Sequence, residues 1–324
     1  MKISHAIAAS ALGMLLCAPA AASEYSALMR AHKYADVERL ANARLAQDAG
    51  NADALVALSE VGLAEGRIED AVKLGERCLA AQPKVANCHL AYGNALGTKA
   101  VSAGMVSAMS YAGKIRDAFK TAVELEPQNM DARFSLMTYY MQAPAIVGGG
   151  SGKAQTLAAQ TALINAEAGK LMTARLDAAD DKLAKAEAAV LAMPVSSNEA
   201  VAEGQRDLIN NLGNKYLGDK KYADSERMFR EAQKRFPDSE GALYGLARVQ
   251  QELGKHREAL AGFEQANAMT RRASTWYRIG KSQQALGDKL NAVASYGKAL
   301  AFKPALPPKL RADADEQLKL VRQQ

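Results

Sequence analysis

The sequence predicts an all-α fold, an α-solenoid of stacked antiparallel helix pairs. Three observations lead there. Similar segments recur about every 34 residues, the period of a helix–turn–helix unit that cannot bury its apolar face alone. Glycine stands midway through several of these segments and proline near their ends, as turn and break signals. The composition is that of helices: Ala, Leu, Lys, Arg, Glu and Gln abound, aromatics make up 6%, and runs of Val, Ile, Thr and Tyr are absent. With 49% hydrophobic and 23% charged residues, the 324-residue chain has globular rather than disordered composition.

The first element is a leader. Residues Met1 to Ala22 read MKISHAIAASALGMLLCAPAAA. Lys2 precedes an apolar stretch from about Ala6 to Leu16, and small residues at Ala20 and Ala22 form an A-x-A end. This is the plan of a secretory signal peptide cleaved near Ala22, and it predicts a periplasmic protein. The apolar stretch is too short for a permanent membrane span. Cys17 follows Leu16 where a lipoprotein signal has a small residue, so acylation is not expected. Cys78 and Cys88 remain. In an oxidising compartment such a close pair forms a disulfide; the alternative is two separate small buried residues.

Residues 23–194 repeat with interruptions. Tyr34 marks a degenerate first unit. Leu55, Leu58, Gly66, Ala71, Cys78 and Pro83 keep one frame, and Tyr92 and Gly93 continue it. About ten extra residues around Gly97 to Met109 then intervene before Phe119, Ala122 and Pro127 resume. The pattern breaks at Pro144, and residues 154–193 read as helices without a clear register. Met193-Pro194-Val195-Ser196 marks a boundary. Ser196 and Glu199 have capping-box spacing, which predicts that Ser196 caps the next helix.

Residues 195–305 repeat most clearly. In the last copy Trp276, Ile279 and Gly280 open a helix and Gly287 ends it; Ala292, Tyr296 and Ala299 line a second helix, which Pro304 closes. Small residues let the two helices approach, the large ones fill the seam, and glycine supplies the turn. The copy before it carries Leu243, Leu246, Ala247, Gly254, Ala259, Phe263 and Ala266. The one before that carries Ile209, Leu212, Gly213, Tyr216, Phe229, Ala232 and Pro237, with Ser225 for the usual alanine and Lys220 for the turn glycine. Residues 306–324 read as a polar helix covering the last seam.

These residues resemble the tetratricopeptide repeat (TPR) nearly position for position, which implies a TPR superhelix. The stretch GMVSAMSYAGKIRDAFKTAVELEP followed by APAIVGGGSGKA is similar to a subgroup of exported proteobacterial TPR proteins with such an insertion and a proline–triple-glycine loop. That likeness implies fold and compartment and carries no activity.

Chemistry is scarce. Gly148 to Ala154 suggests a P-loop, but Val147 and Ala154 stand where glycine and Ser or Thr are required, and no strand precedes. The reading is a flexible connection, with Lys153 and the following helix start as a possible anion contact. His32, His89 and His256 fall in separate repeats, and carboxylates show no paired acidic motif. No enzyme activity, metal or cofactor is expected. The net charge of +6 is spread without a basic, aromatic-interleaved stripe, so nucleic acid is not an expected partner.

The expected function is to hold a peptide segment of a cell-envelope partner in the concave groove. Its wall should comprise Asn210, Asn214, Tyr244, Arg248, Gln251, Tyr277 and Lys281, with Arg278 beside them. Asn214 and Arg278 match positions of the carboxylate clamp of chaperone-binding TPR domains, whereas Asn210, Gly245 and Ser274 depart from it. The corresponding N-terminal positions, Asp53, Val56, Glu60, Leu63, Leu90 and Asn94, are more apolar and partly acidic. They are expected to pack on the insertion, on the other half of the chain or on a second copy. A carrier of an apolar ligand such as a lipid, using the N-terminal half, is the alternative.

Overall fold

The computed structural model describes residues 20–323, so the expected leader lies outside the described residues except for its last three positions. The described residues form seventeen α-helices in stacked antiparallel hairpins, an α-solenoid. The N-terminal hairpins pair α1 (Ala20–Arg30) with α2 (Tyr34–Gln47), α3 (Ala52–Ala64) with α4 (Ile68–Ala81), and α5 (Ala86–Ala103) with α6 (Met105–Leu125). Next come α7 (Met130–Gln142) with α8 (Ser151–Ala162), joined through a 3₁₀ turn at Ala145–Val147, and α9 (Ala166–Ala179) with α10 (Leu183–Leu191). Then follow α11 (Glu199–Gly218) with α12 (Tyr222–Arg235), α13 (Glu240–Glu252) with α14 (His256–Met269), and α15 (Ala273–Ala285) with α16 (Lys289–Ala301). The last helix, α17 (Pro308–Gln323), packs on α15 and α16.

Five of the first helices share a start signal. The side chains of Asn51, Asn129, Asn165, Asn198 and Ser239 each accept a hydrogen bond from the amide three residues on, closing α3, α7, α9, α11 and α13. An acidic residue sits in the first turn of each, where the helix dipole favours negative charge. Ser196 is therefore not the cap of α11. Its hydroxyl is drawn to Glu167 across the neighbouring hairpin, and Asn198 takes the capping role. The turns share a stop signal: His32, Gly66, Asp181, Lys220, Gly254 and Gly287 all have positive φ. Lys220, at φ 58°, adopts the left-handed conformation that its position demands.

The extra residues near Gly97 form no helix of their own. They lengthen α5 and α6, which meet at Gly104 as the longest hairpin. The glycine loop is also not a flexible connection. Gly149 N donates to Pro144 O at 3.1 Å, Gly150 N to Tyr140 O at 2.7 Å and Tyr139 Oη to Val147 O at 2.6 Å, which ties it to α7. Cys78 and Cys88 are joined by a disulfide that links the end of α4 to the start of α5.

One hydrophobic cluster runs from Ala71 to Ala242, continuous across residues 192–198. The connection there is fastened by Arg235, which donates to Leu191 O at 2.8 Å and Met193 O at 2.9 Å, and by Gln205, which donates to Pro194 O at 2.8 Å. The superhelix turns far enough that its ends meet. Arg30 at the end of α1 pairs with Glu199, and His32 shares hydrogen bonds with Tyr34 Oη at 2.8 Å and Thr270 Oγ1 at 2.9 Å. A Cβ built on Gly66 would lie 3.3 Å from Pro304 Cβ.

Candidate binding chamber

The expected C-terminal wall divides into three groups. Asn214, Arg248 and Tyr244 lie together: Arg248 donates to Asn214 Oδ1 at 2.7 Å, and its guanidinium lies 6.0 Å from the Tyr244 ring centre. Burial, then the nearby Arg278 charge, lowers the pKa of Arg248. Gln251 and Arg278 are committed to each other. Gln251 donates to Arg278 O at 3.0 Å and Ser282 Oγ at 2.7 Å, and Arg278 returns a bond to Gln251 Oε1 at 2.8 Å. Tyr277 is only 4% exposed and bonds Asp313 of α17, towards which Lys281 also points at 3.9 Å.

Gln251 and Tyr277 are therefore corrected from groove wall to packing between successive first helices. Their spacing matches the concave face, but the neighbouring repeat and α17 cover them. Asn210 is half-buried, donates to Ser239 Oγ at 3.3 Å and leaves its Oδ1 buried without a partner. Lys153 donates to Gly148 O at 2.9 Å, so its ammonium closes the glycine loop on itself.

The enclosed part of the concave face lies elsewhere, at the N-terminal positions expected to be packed. Asp53, Val56 and Glu60 of α3, Leu90 and Asn94 of α5, and Asp131 of α7 line a cavity of about 850 Å³, which α11 bounds on the far side. Leu63 instead packs in the hydrophobic core. Among the expected C-terminal wall residues only Asn210 reaches this space. A second cavity of about 860 Å³ adjoins it beneath the α5–α6 hairpin and is mostly apolar, with Ile115, Phe119, Phe134 and Val147 in its lining. Asn94, Asp131, Ser135, Ala200, Glu203 and Asp207 line both, so the two form one chamber.

Charge in the chamber is one-sided near its middle. Desolvation, with the Asp131 and Glu203 carboxylates adding to it, pushes the Glu60 pKa up to about 7. Glu60 is exposed towards the chamber, and the walls of α5, α7 and α11 surround it at longer range. Desolvation, then Glu203 and Glu199, raises Asp131 too. Neither side chain has a hydrogen bond or ion pair with any described residue. Arg206 is shared between Glu203 at 3.4 Å and Asp207 at 3.7 Å. Among the described residues no group of three or more His, Cys, Asp or Glu is placed to hold a metal ion, and no helix is long and apolar enough to cross a membrane.

Family models of the tetratricopeptide repeat match residues 216–279 and 273–306. Residues 216–306 are tetratricopeptide repeats. The TPR hairpins thus include α12 to α16, with the end of α11. No curated protein matches the chain. Solved structures similar to it include the first TPR of Spaghetti (RPAP3) bound to the HSP90 peptide SRMEEVD, at 21% identity over 36% of this chain and 90% of that one, with a TM-score of 0.33. The APC/C hetero-tetramer Cut9–Hcn1 is 15% identical over 93% of this chain and 55% of that one, with a TM-score of 0.48. A tetratricopeptide repeat protein from Parabacteroides merdae ATCC 43184 is 15% identical over 93% of this chain and 97% of that one, with a TM-score of 0.43.

Proposed function

We propose that the chain is a non-enzymatic periplasmic scaffold that holds a segment of a cell-envelope partner on the concave face of its repeats. The observation that carries this is the run of polar and basic side chains across successive first helices. Asn214 is exposed, Arg248 and Tyr244 are half-buried, and Lys281 of α15 is half-buried beside Asp313 of α17. Asparagine bonds a peptide backbone in either sense, tyrosine adds flat contact area at low entropy cost, and the cations attract acidic groups. The periplasmic part rests on the leader pattern of Met1 to Ala22 and on the Cys78–Cys88 disulfide, which suits an oxidising compartment.

Crosslinking pull-down from the envelope of the native organism is the direct test. Arg248→Glu with Lys281→Glu should abolish capture of the partner while far-ultraviolet circular dichroism stays unchanged. Wild-type capture should weaken as salt is raised, because these charges are partly exposed. Equal recovery by the double variant and the wild type ends this reading.

A second reading, a carrier of an apolar ligand such as a lipid, draws on the apolar cavity beneath α5 and α6. Native mass spectrometry of the purified chain tests it. An adduct of lipid mass supports a carrier, and bare protein at every charge state removes it.

A further inference from the structure

We infer that the inner chamber takes a partner segment in which a large apolar side chain neighbours a lysine or arginine. The apolar group fills the bay beneath α5 and α6, and the cation lies between Glu60, Asp131 and Glu203. This rests on the scaffold reading and concerns a second stretch of the partner, held in the chamber and not on the Arg248–Lys281 wall.

Three observations lead here. The bay is lined by Ala112, Ile115, Phe119, Phe134 and Val147, and Val101 and Met109, both exposed, stand at its rim. Apolar surface kept open in this way marks a contact site. Next to it, Glu60 and Asp131 carry carboxylates with no partner among the described residues, and a cation relieves both. Finally, the acidic and apolar parts share Asp131 and Glu203, so one ligand spans both.

The same carboxylates argue against an anionic lipid head. The one cation in the bay lining, Arg175, is stacked 4.9 Å from the Phe134 ring centre and faces the Asp207 charge.

Occupancy should follow pH. Asp131 on α7 and Glu203 on α11 act on Glu60 directly; the other charged groups lining its chamber are Asp53 on its own helix, Glu199, Arg206 and Asp207 on α11, Asp238 and Glu240 at the start of α13, and Arg30, His32 and Arg272. A bound cation requires the ionised carboxylate, and the empty chamber holds Glu60 near pH 7 at half-protonation. Affinity for a cationic segment therefore rises as pH increases through 7 and falls towards pH 5.5.

The probe is a fluorescein-labelled hexapeptide, Lys-Phe-Leu-Lys-Phe-Arg, titrated with the leaderless chain and followed by anisotropy. One control peptide has every Lys and Arg replaced by Glu, and another has every Phe and Leu replaced by Ser. The wild type should bind the probe at least tenfold more tightly than either control. Glu60→Gln with Asp131→Asn should weaken it tenfold or more, with unchanged circular dichroism, and should flatten the pH dependence. If the Glu60 and Asp131 variant binds as well as the wild type, or the acidic control binds as tightly as the probe, the inference is overturned. Failure of the probe to bind while the envelope pull-down still captures a partner through Arg248 and Lys281 overturns it and leaves the scaffold reading standing. Absence of any peptide binding together with a lipid adduct overturns both.

Discussion

Gly245 illustrates how a single absent atom shapes the groove. A Cβ built there would lie 2.2 Å from Cε1 of Phe229, whose ring is fully buried between α11, α12 and α13. A clamp-like side chain at this position is therefore excluded by packing from the preceding hairpin. Gly245→Ala should destabilise the chain by about 1–3 kcal/mol, the usual cost of overpacking a filled core. Thermal unfolding monitored by circular dichroism checks it, and an unchanged midpoint would mean that Phe229 has room to move. Ser225 departs from the repeat pattern without such a cost. It is buried in the seam and donates to Gly213 O at 2.8 Å, which satisfies the hydroxyl that alanine would lack.

At the scale of elements, two features repair weak points of the repeat pattern. The lengthened α5–α6 hairpin covers the apolar bay, and the Cys78–Cys88 disulfide anchors α5 at its start. The bridge closes a short loop between consecutive hairpins. Loop-closure entropy for about ten residues corresponds to about 2–3 kcal/mol. Cys78→Ala with Cys88→Ala should lower the unfolding free energy by that amount in denaturant titration, and reductant should lower the wild type equally. A reductant-insensitive wild type would show that the thiols are unpaired in solution. The capped first helices also carry a signal in the interrupted region that apolar periodicity misses. Asn165 repeats the pattern of Asn51 and Asn129, an Asn followed two residues on by an acid and three on by alanine. That signal supplies the register of α9, which apolar periodicity alone left open, because alanine-rich helices such as α9 bury small residues on several sides.

At the scale of the whole molecule, the chamber depends on ring closure. Arg30 with Glu199 and His32 with Thr270 are contacts between side chains far apart in sequence, made where the first hairpin meets α11 and the turn before α15. Burial, then the Arg272 charge, lowers the His32 pKa, so the neutral ring is the form that closure favours. The unfolded or open chain binds a proton more readily, and closure weakens as pH falls below about 6.5. Arg30→Ala with His32→Ala should increase the radius of gyration in small-angle scattering and cost little thermal stability, since exposed pairs contribute at most about 1 kcal/mol. Identical scattering curves would mean that the stacked hairpins hold the ring shut without these contacts.

Local periodicity made the hairpins of residues 200–305 legible. Ile209, Leu212, Phe263, Ile279, Tyr296 and Ala299 recur at helical spacing and are all buried, because a helix turns the same face inward wherever it lies. The same periodicity named Asn214 and Arg248 as concave neighbours one repeat apart. It did not distinguish an open concave position from one that the next helix covers, as with Gln251 and Tyr277, or reveal that Glu60, Asp131 and Glu203 converge. Those outcomes depend on the small rotation between each hairpin and the next, summed over the whole stack. Composition and spacing determined that this chain is a helical solenoid with an inner wall; only the accumulated curvature decided where that wall encloses a chamber and which charges face one another inside it.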